Sequence, residues 1–337
     1  MPELRRDPLT SRWVVIATER AKRPHDFAHH ARARADSGES CPFCEGHEEQ
    51  TPPELMAYRP SSSAPDRPGW AVRVVPNLYP AFTPEAGPLE VHRDGLFVGE
   101  AARGGHEVLI ASPAHVDEVA RLPLGQYELM VRSYVDRYRA QAAGPLVQYI
   151  HIIMNYGKEA GASRDHPHSQ LFALQLVPSL VELELRHSQD YHAAHGRCLL
   201  CAVLRQELAA GQRVVLENER FVVFAPYASR WPFELWLAPK RHEPRLEALD
   251  REGQMAFASA LRETLGRLHV GLNDPPFNYW IHTSPTQLPV DRYYHWHLEL
   301  APKPAIAAGF EMGTEVMINI ALPEQAAAFL REIRVPF

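Results

Sequence analysis

Residues 155–178 read NYGKEAGASRDHPHSQLFALQLVP, and their centre, His166-Pro167-His168-Ser169-Gln170, decides how the rest of the chain is read. A glycine-containing approach (Gly157, Gly161) leads into it and an apolar run, Leu171 to Val177, leads out. Alternate residues of a strand share a face. Pro167 cannot donate a ladder hydrogen bond, which predicts a strand edge or a turn at this point and lets the two imidazoles take different tasks. One histidine is then a candidate metal ligand and the other a candidate nucleophile.

Outward from this motif, one order of unlike signals occurs twice. On the N-terminal side stand Cys41-Pro-Phe-Cys44, a strand over Ala71–Phe82 that ends in Asn77, and a strand over Glu107–His115. An amphipathic helix over Leu124–Gln141 and a strand over Val147–Asn155 then lead to the His166 motif. After a helix over 179–195 come Cys198-Leu-Leu-Cys201, a strand over Glu217–Phe224, Glu234–His242, a helix over about 245–270, a strand over Asn278–His282 and His295-Trp-His297. His115 precedes His166 by 51 positions and His242 precedes His295 by 53. The pattern predicts a duplicated α+β fold, with halves at 1–195 and 196–337, each an antiparallel sheet with helices on one face.

Two thiolates and two imidazoles make a closed tetrahedral zinc site. The expected sets are Cys41, Cys44, His115 and His166 in the first half, and Cys198, Cys201, His242 and His295 in the second, with His297 as the alternative fourth ligand. Both sets read as structural. His168 is then free to act as a nucleophile toward phosphorus, provided one ring nitrogen is tied to an acceptor. A carbonyl of the Ala160–Ser163 loop is the expected acceptor. Ser163, Ser169 and Gln170 offer neutral donors for phosphoryl oxygens. The basic run Arg20, Lys22, Arg23 reads as a surface turn, or as a holder of polyphosphate.

The chain has 337 residues and a formal net charge of -6, which argues against a nucleic-acid partner. No run approaches the ~20 apolar residues needed to cross a bilayer, so no membrane partner is expected. The opening MPELRRDPLTSRW lacks the apolar stretch of a secretory leader, and a cytoplasmic location is expected. Paired cysteines in a reducing compartment point to metal or redox chemistry.

HPHSQ preceded by N-x-G-x-x-A-G-A-S, CPFC after RAKRP, and VVPNLYPAF together resemble the galactose-1-phosphate uridylyltransferase branch of the histidine-triad superfamily. The resemblance runs from about Arg20 to the end of the chain. It implies histidine-triad-like halves, a homodimer, and ping-pong nucleotidyl transfer through a nucleotidyl-histidine at His168. It further implies roles for Gln170, Ser163, Asn155 and Asn77 at the nucleotide and its phosphates, with Arg20 and Arg23 nearby. The expected substrates are a nucleotide sugar and a sugar phosphate or phosphate, with UDP-glucose and galactose 1-phosphate first and ADP-glucose phosphorolysis second.

Three departures stand out. Ser169 replaces the glycine of the HPHGQ form, and Cys198-x-x-Cys201 supplies a second cysteine pair. The segment Gly309–Asn319 resembles the G-F-E-x-G-T-G-x-x-I-N form of shorter bacterial members and ADP-glucose phosphorylases. Its Gly313-Thr314 turn is expected to offer phosphate backbone N–H groups. The second half, with Glu299 where Gln170 stands in the first, reads as a degenerate copy. A nucleotide-binding protein, a histidine-triad hydrolase and a zinc-dependent nucleic-acid binder are the alternatives from other classes.

Overall fold

The computed structural model describes residues 1–20, 40–60, 62–84, 92–116, 118–302 and 308–337. In chain order the first half contains β1 (Glu3–Arg6), β2 (Trp13–Ile16), β3 (Met56–Tyr58), β4 (Val72–Pro76), β5 (His92–Asp94), β6 (Phe97–Gly99), β7 (Gly104–Ile110), α1 (Leu124–Ala142), β8 (Tyr149–Tyr156) and β9 (His168–Leu174). There follow α2 (Ser179–His195), α3 (Leu199–Ala210), β10 (Val214–Glu217), β11 (Phe221–Phe224), β12 (Leu235–Pro239), α4 (Arg251–Leu272), β13 (Phe277–His282), β14 (His297–Pro302), α5 (Gly309–Thr314), β15 (Met317–Asn319) and α6 (Pro323–Glu332).

Among the described residues, ten strands make one sheet in the order β10-β11-β12-β14-β13-β8-β9-β7-β4-β3. Every neighbouring pair in it is antiparallel. The order is palindromic about the β8–β13 seam, with β9 matching β14, β7 matching β12 and β4 matching β11. The duplication expected from the sequence is therefore a continuous sheet with an internal pseudo-two-fold.

One face of this sheet is covered by α1 and α4. Tyr127, Met130, Val131, Tyr134, Val135 and Tyr138 recur at helical spacing on α1, and all are buried in the main core with Phe257, Leu261, Leu265 and Leu268 of α4. Each such side chain stabilises the fold by roughly 1.5–3 kcal/mol. Asp250 caps α4 by accepting the Gly253 N–H at 2.7 Å, and Asn273 ends it in the left-handed region at φ 57°.

Several boundaries differ from the sequence expectation. The strand expected over 217–224 is the β10–β11 hairpin, because Asn218 turns the chain by accepting the Arg220 and Phe221 N–H groups. The helix expected from about 245 begins at Arg251, where Asp250 caps it. Of the two alternatives at Pro167, a strand edge or a turn, the edge fails, and the chain bends at residues 165–166 just before it. Pro167 immediately precedes β9, a central strand, and its carbonyl accepts the Ala111 N–H at 3.0 Å. Finally, β1 and β2 join β15 in a separate three-stranded sheet, in which Val14–Ile16 of β2 pair with Met317–Asn319 near the C-terminus.

Candidate active site

β9 alternates its side chains between the two faces of the sheet. Ser169 points to the helix side, fully buried, with its Oγ 2.5 Å from the Tyr134 hydroxyl and 3.4 Å from that of Tyr279. His168 and Gln170 point the other way. The expectation that Ser169 would donate to phosphate is corrected here: its hydroxyl belongs to the network under the sheet.

His168 is 7% exposed, and Phe43 of the cysteine knuckle lies against it with ring centroids 5.2 Å apart. Its Nδ1 is 2.8 Å from the His166 carbonyl. A carbonyl only accepts, so Nδ1 carries the proton and Nε2 presents the lone pair. Burial holds the imidazole below its ordinary pKa, which keeps it neutral near pH 7. The acceptor is thus the backbone of the neighbouring histidine, two residues away, and not the Ala160–Ser163 loop that the sequence suggested.

His166 is fixed in the opposite sense. Its Nε2 donates to the Ser112 carbonyl at 2.8 Å, which leaves Nδ1 to face Cys41 Sγ and Cys44 Sγ, each at 3.6 Å. His115 Nδ1 lies 3.6 Å from Cys44 Sγ. The ligand atoms of Cys41, Cys44, His115 and His166 lie within 4.8 Å of one another. A zinc tetrahedron with Zn–S of about 2.3 Å and Zn–N of about 2.0 Å has S···N edges of roughly 3.5 Å, so the donor set and its spacing fit that ion. Hydrogen bonds that fix the second ring nitrogen are the usual support of such ligands.

Cys198, Cys201, His242 and His295 make a second group of the same kind. Cys201 Sγ is 3.4 Å from His242 Nδ1 and 3.3 Å from His295 Nδ1. His242 Nε2 donates to the Asp291 carbonyl at 2.7 Å and His295 Nε2 to that of Pro239 at 3.1 Å. His295, not His297, faces the cysteines.

Around His168 the remaining candidates divide. One step along the ladder from the Met154–Ser169 pair, Asn155 stands beside His168, and its Oδ1 accepts from Asn278 Nδ2 at 2.8 Å. Asn278 Nδ2 also reaches the Ala160 carbonyl at 2.7 Å and so ties β8 to the following loop. Gly157 and Gly161 hold that loop in left-handed conformations, at φ 83° and 84°, which favour glycine. Ser163 is exposed on it. Asn77, at the end of β4, lies beside His106, and His106 Nε2 is 2.8 Å from Gln170 Oε1. Arg20 ends a short 3-10 turn, Thr18–Arg20, while Arg23 falls outside the described residues.

Gly313 and Thr314 do not form a phosphate-binding turn. They end α5, the Thr314 hydroxyl donates back to the Phe310 carbonyl at 2.7 Å, and Glu315 N–H is used by the Glu311 carbonyl. A helix C-terminus offers carbonyls, which repel phosphate. The segment that follows pairs with β2 in the three-stranded sheet, whereas β9 belongs to the ten-stranded one.

Sequence reasoning missed two features. The first is His106. The second is a buried group made of His282, His297 and Glu299 of the other half with Glu184 of α2, whose ligand atoms also lie within 4.8 Å of one another. His282 pairs with His297 across β13–β14 as Asn155 stands beside His168 across β8–β9. Glu299 takes the place of Gln170. His297 Nδ1 lies 3.3 Å from the His295 carbonyl, the counterpart of the bond that orients His168. This second pocket is filled from within. Arg230 bonds Glu234 at 2.9 Å and contacts Glu299, His282 bonds Glu184 at 2.8 Å, and the Tyr294 hydroxyl reaches the other Glu184 oxygen at 2.8 Å. Burial alone would raise the Glu299 pKa, but Arg230, His297 and His282 outweigh it and hold the carboxylate ionised. The repeat placed Glu299 opposite Gln170 in the sequence, and extending that comparison to Asn155 and His282 would have exposed the pocket.

The fold and site together define a duplicated histidine-bearing sheet in which one oriented imidazole stands beside a four-ligand Cys/His cluster. Residues 1–178 match the family model for the N-terminal domain of galactose-1-phosphate uridyl transferase, and residues 184–335 that for its C-terminal domain, so the chain belongs to this family of nucleotidyltransferases. It is 37% identical to an ADP-glucose phosphorylase of Arabidopsis thaliana, over 98% of this chain and 93% of that one. It is 31% identical to a galactose-1-phosphate uridylyltransferase of Thermotoga maritima, over 99% of each. The solved structure of an Arabidopsis ADP-glucose phosphorylase with bound ADP-glucose superposes with a TM-score of 0.82 at 34% identity, covering 99% of this chain and 100% of that one. A uridylyltransferase structure does so with a TM-score of 0.75 at 30% identity, covering 98% and 97%.

Proposed function

We propose that His168 is the nucleophile of a ping-pong nucleotidyl transfer, most simply of UMP from UDP-glucose to galactose 1-phosphate. The observation that carries this is the bond between His168 Nδ1 and the His166 carbonyl, which presents an unprotonated Nε2 from a buried, neutral ring. In the first step the Nε2 lone pair forms a bond to the α-phosphorus. The bond from phosphorus to the bridging oxygen breaks, and its electron pair leaves with glucose 1-phosphate. In the second step a phosphate oxygen of the acceptor attacks the same phosphorus, and the N–P electron pair returns to Nε2. Throughout, the proton stays on Nδ1, which donates it in a hydrogen bond to the His166 carbonyl.

In this reading Gln170 donates to the phosphoryl oxygens, Asn155 and Ser163 bind the phosphates from the β8 side, and Asn77 serves the nucleotide; roles for Arg20 and Arg23 at its phosphates rest on the family resemblance alone. Zinc is proposed for both Cys2His2 groups, where it would supply a closed structural anchor; His166 would then link that anchor to the nucleophile through its own carbonyl. A homodimer, a cytoplasmic location and a division of the lobes at 195/196 complete the reading. Transfer of AMP from ADP-glucose to phosphate is the second reading, supported by the 37% identity to a phosphorylase against 31% to a uridylyltransferase.

The test is intact mass after mixing the protein with UDP-glucose or ADP-glucose without acceptor. A UMP adduct on wild type that is lost in His168→Asn, with metal content and fold unchanged, is the expected result. An AMP adduct alone would transfer the assignment to the phosphorylase reading. Turnover retained by His168→Asn would sink the covalent route altogether.

A further inference from the structure

His106 lies on β7, on the same face as Gln170. Their strands pair in register, with Val108 opposite Gln170 and His106 opposite Phe172. The ring of His106 stacks on Phe172 at 4.0 Å with an interplanar angle of 25°, so it is pinned in plane. Its Nδ1 accepts the Ala81 N–H at 3.2 Å, and its Nε2 lies 2.8 Å from Gln170 Oε1.

These contacts fix an orientation that an amide cannot fix for itself. The two ends of a glutamine amide have nearly the same shape, and only their hydrogen-bond partners decide which way it turns. The Ala81 N–H can only donate, so Nδ1 of the neutral ring is the acceptor and Nε2 carries the hydrogen. Nε2–H must then meet an acceptor, which is Gln170 Oε1. The other neighbour of Nε2, Asn77 Nδ2 at 3.1 Å, is itself a donor, since Asn77 Oδ1 is taken by the Tyr79 N–H at 2.9 Å; it adds no competing acceptor. Burial keeps the His106 imidazole below its ordinary pKa, against the smaller opposing effect of the Gln170 bond, so the neutral form this chain of bonds requires is the one present.

We propose that His106 is a positioning residue, which relays the fixed polarity of the Ala81 backbone to Gln170 and so aims the Gln170 NH2 group at the phosphoryl group in transfer. This rests on the reading of His168 as nucleophile. As the N–P bond forms and the P–O bond to the leaving group breaks, negative charge gathers on the non-bridging oxygens, where an N–H donor stabilises and an amide oxygen repels. An oriented donor of this kind is worth about 10²–10³ in rate when removed outright. Loss of its orientation alone, with the amide still present, costs less.

The experiment follows nucleotidyl-enzyme formation by quenched intact mass, with UDP-glucose and ADP-glucose, in wild type, His106→Phe, His106→Gln, Gln170→Ala and the His106→Phe/Gln170→Ala double variant. Phenylalanine keeps the stack on Phe172 and removes both nitrogens, whereas glutamine restores an N–H near the position of Nε2. His106→Phe is expected to slow adduct formation by 10- to 100-fold, with the half-saturating donor concentration within threefold of wild type. His106→Gln should recover most of that rate, and the double variant should be no slower than Gln170→Ala alone.

Multiplicative losses in the double variant would overturn the proposal, because they would show His106 acting independently of Gln170. So would an equal loss in His106→Phe and His106→Gln, or wild-type rates in both. No adduct on wild type with either donor would remove the nucleophile reading and this proposal with it, whereas a wild-type adduct with any of the preceding outcomes removes this proposal alone. A readout that needs no variant is the 15N spectrum of histidine-labelled protein. His106 should show a bare Nδ1 and a protonated Nε2, and the opposite tautomer would overturn the assignment.

Discussion

Ser169 and Gln170 are adjacent in sequence and face opposite sides of the sheet, and that difference governs what each can do. Gln170 lies on the His168 face, bonded to His106, while Ser169 is enclosed with the hydroxyls of Tyr134 and Tyr279. Ser169→Ala is therefore expected to leave the single-turnover rate of adduct formation within about threefold. It should lower the unfolding free energy by roughly 1–3 kcal/mol, the usual cost of removing one partner from a buried polar pair, which urea titration would read. A hundredfold loss of rate without loss of stability would return Ser169 to the chemistry. The sequence made the motif legible, because two histidines around a proline with Gln170 behind them is a chemical pattern. It did not make the faces legible. Parity along β9 says only that residues alternate, and which set faces the helices depends on where α1 packs. His106 was hidden for a similar reason: its partner lies 64 positions away and meets it only through the β7–β9 register.

At the scale of elements, helices with strong periodicity were readable, and 179–195 coincides with α2. The strands were located but their ends were not, because hairpin turns such as that at Asn218 depend on side-chain bonds to the backbone. Pairing between distant strands was illegible from local pattern. The clearest case is the small sheet of β1, β2 and β15, to which α6 is tied by Glu324. That carboxylate bonds Arg5 of β1 at 2.9 Å and Arg213 at 2.7 Å, joining the two ends of the chain to the start of β10. Burial alone would raise the Glu324 pKa, but the bonds from Arg213 and Arg5 outweigh it and the net shift is downward. A carboxylate with a depressed pKa contributes stability that is present above its unfolded value and is lost as pH falls through its folded one. Glu324→Gln should accordingly be less stable than wild type by about 1.5–3 kcal/mol at pH 7, the range for hydrogen bonds to charged groups. The gap should narrow as pH drops below 4.5, the ordinary value for this side chain. Parallel unfolding curves at neutral and acid pH would test the sign, and a gap that widened on acidification would refute it.

Across the whole molecule, the pseudo-two-fold sets two related groups of side chains on one sheet and gives them opposite character. In the first half the positions beside the motif hold Asn155, His168 and Gln170, all uncharged near pH 7 or neutral by burial. In the second they hold His282, His297 and Glu299, closed over by Glu184 and Arg230. The order of signals in the sequence disclosed the duplication, and the Glu299 substitution disclosed that the copies had diverged. It did not disclose that the second group is packed with its own charges, since Arg230 and Glu184 come from outside the repeated motif. The two histidines oriented by a neighbouring carbonyl, His168 and His297, then make a matched experiment. His168→Asn should abolish the nucleotidyl-enzyme and leave the thermal midpoint within a few degrees of wild type. His297→Asn should do the reverse. His297 Nε2 is 3.4 Å from Glu299 and its ring lies 4.9 Å from that of Trp236, so its loss strips a partner from a buried carboxylate. A cost of roughly 2–4 kcal/mol is expected, with adduct formation retained in the molecules that remain folded. Thermal melts and quenched intact mass on the same two variants separate the roles. If His297→Asn lost the adduct while keeping its midpoint, the second half would be part of the reaction, and the division between a reactive and a structural copy would fail.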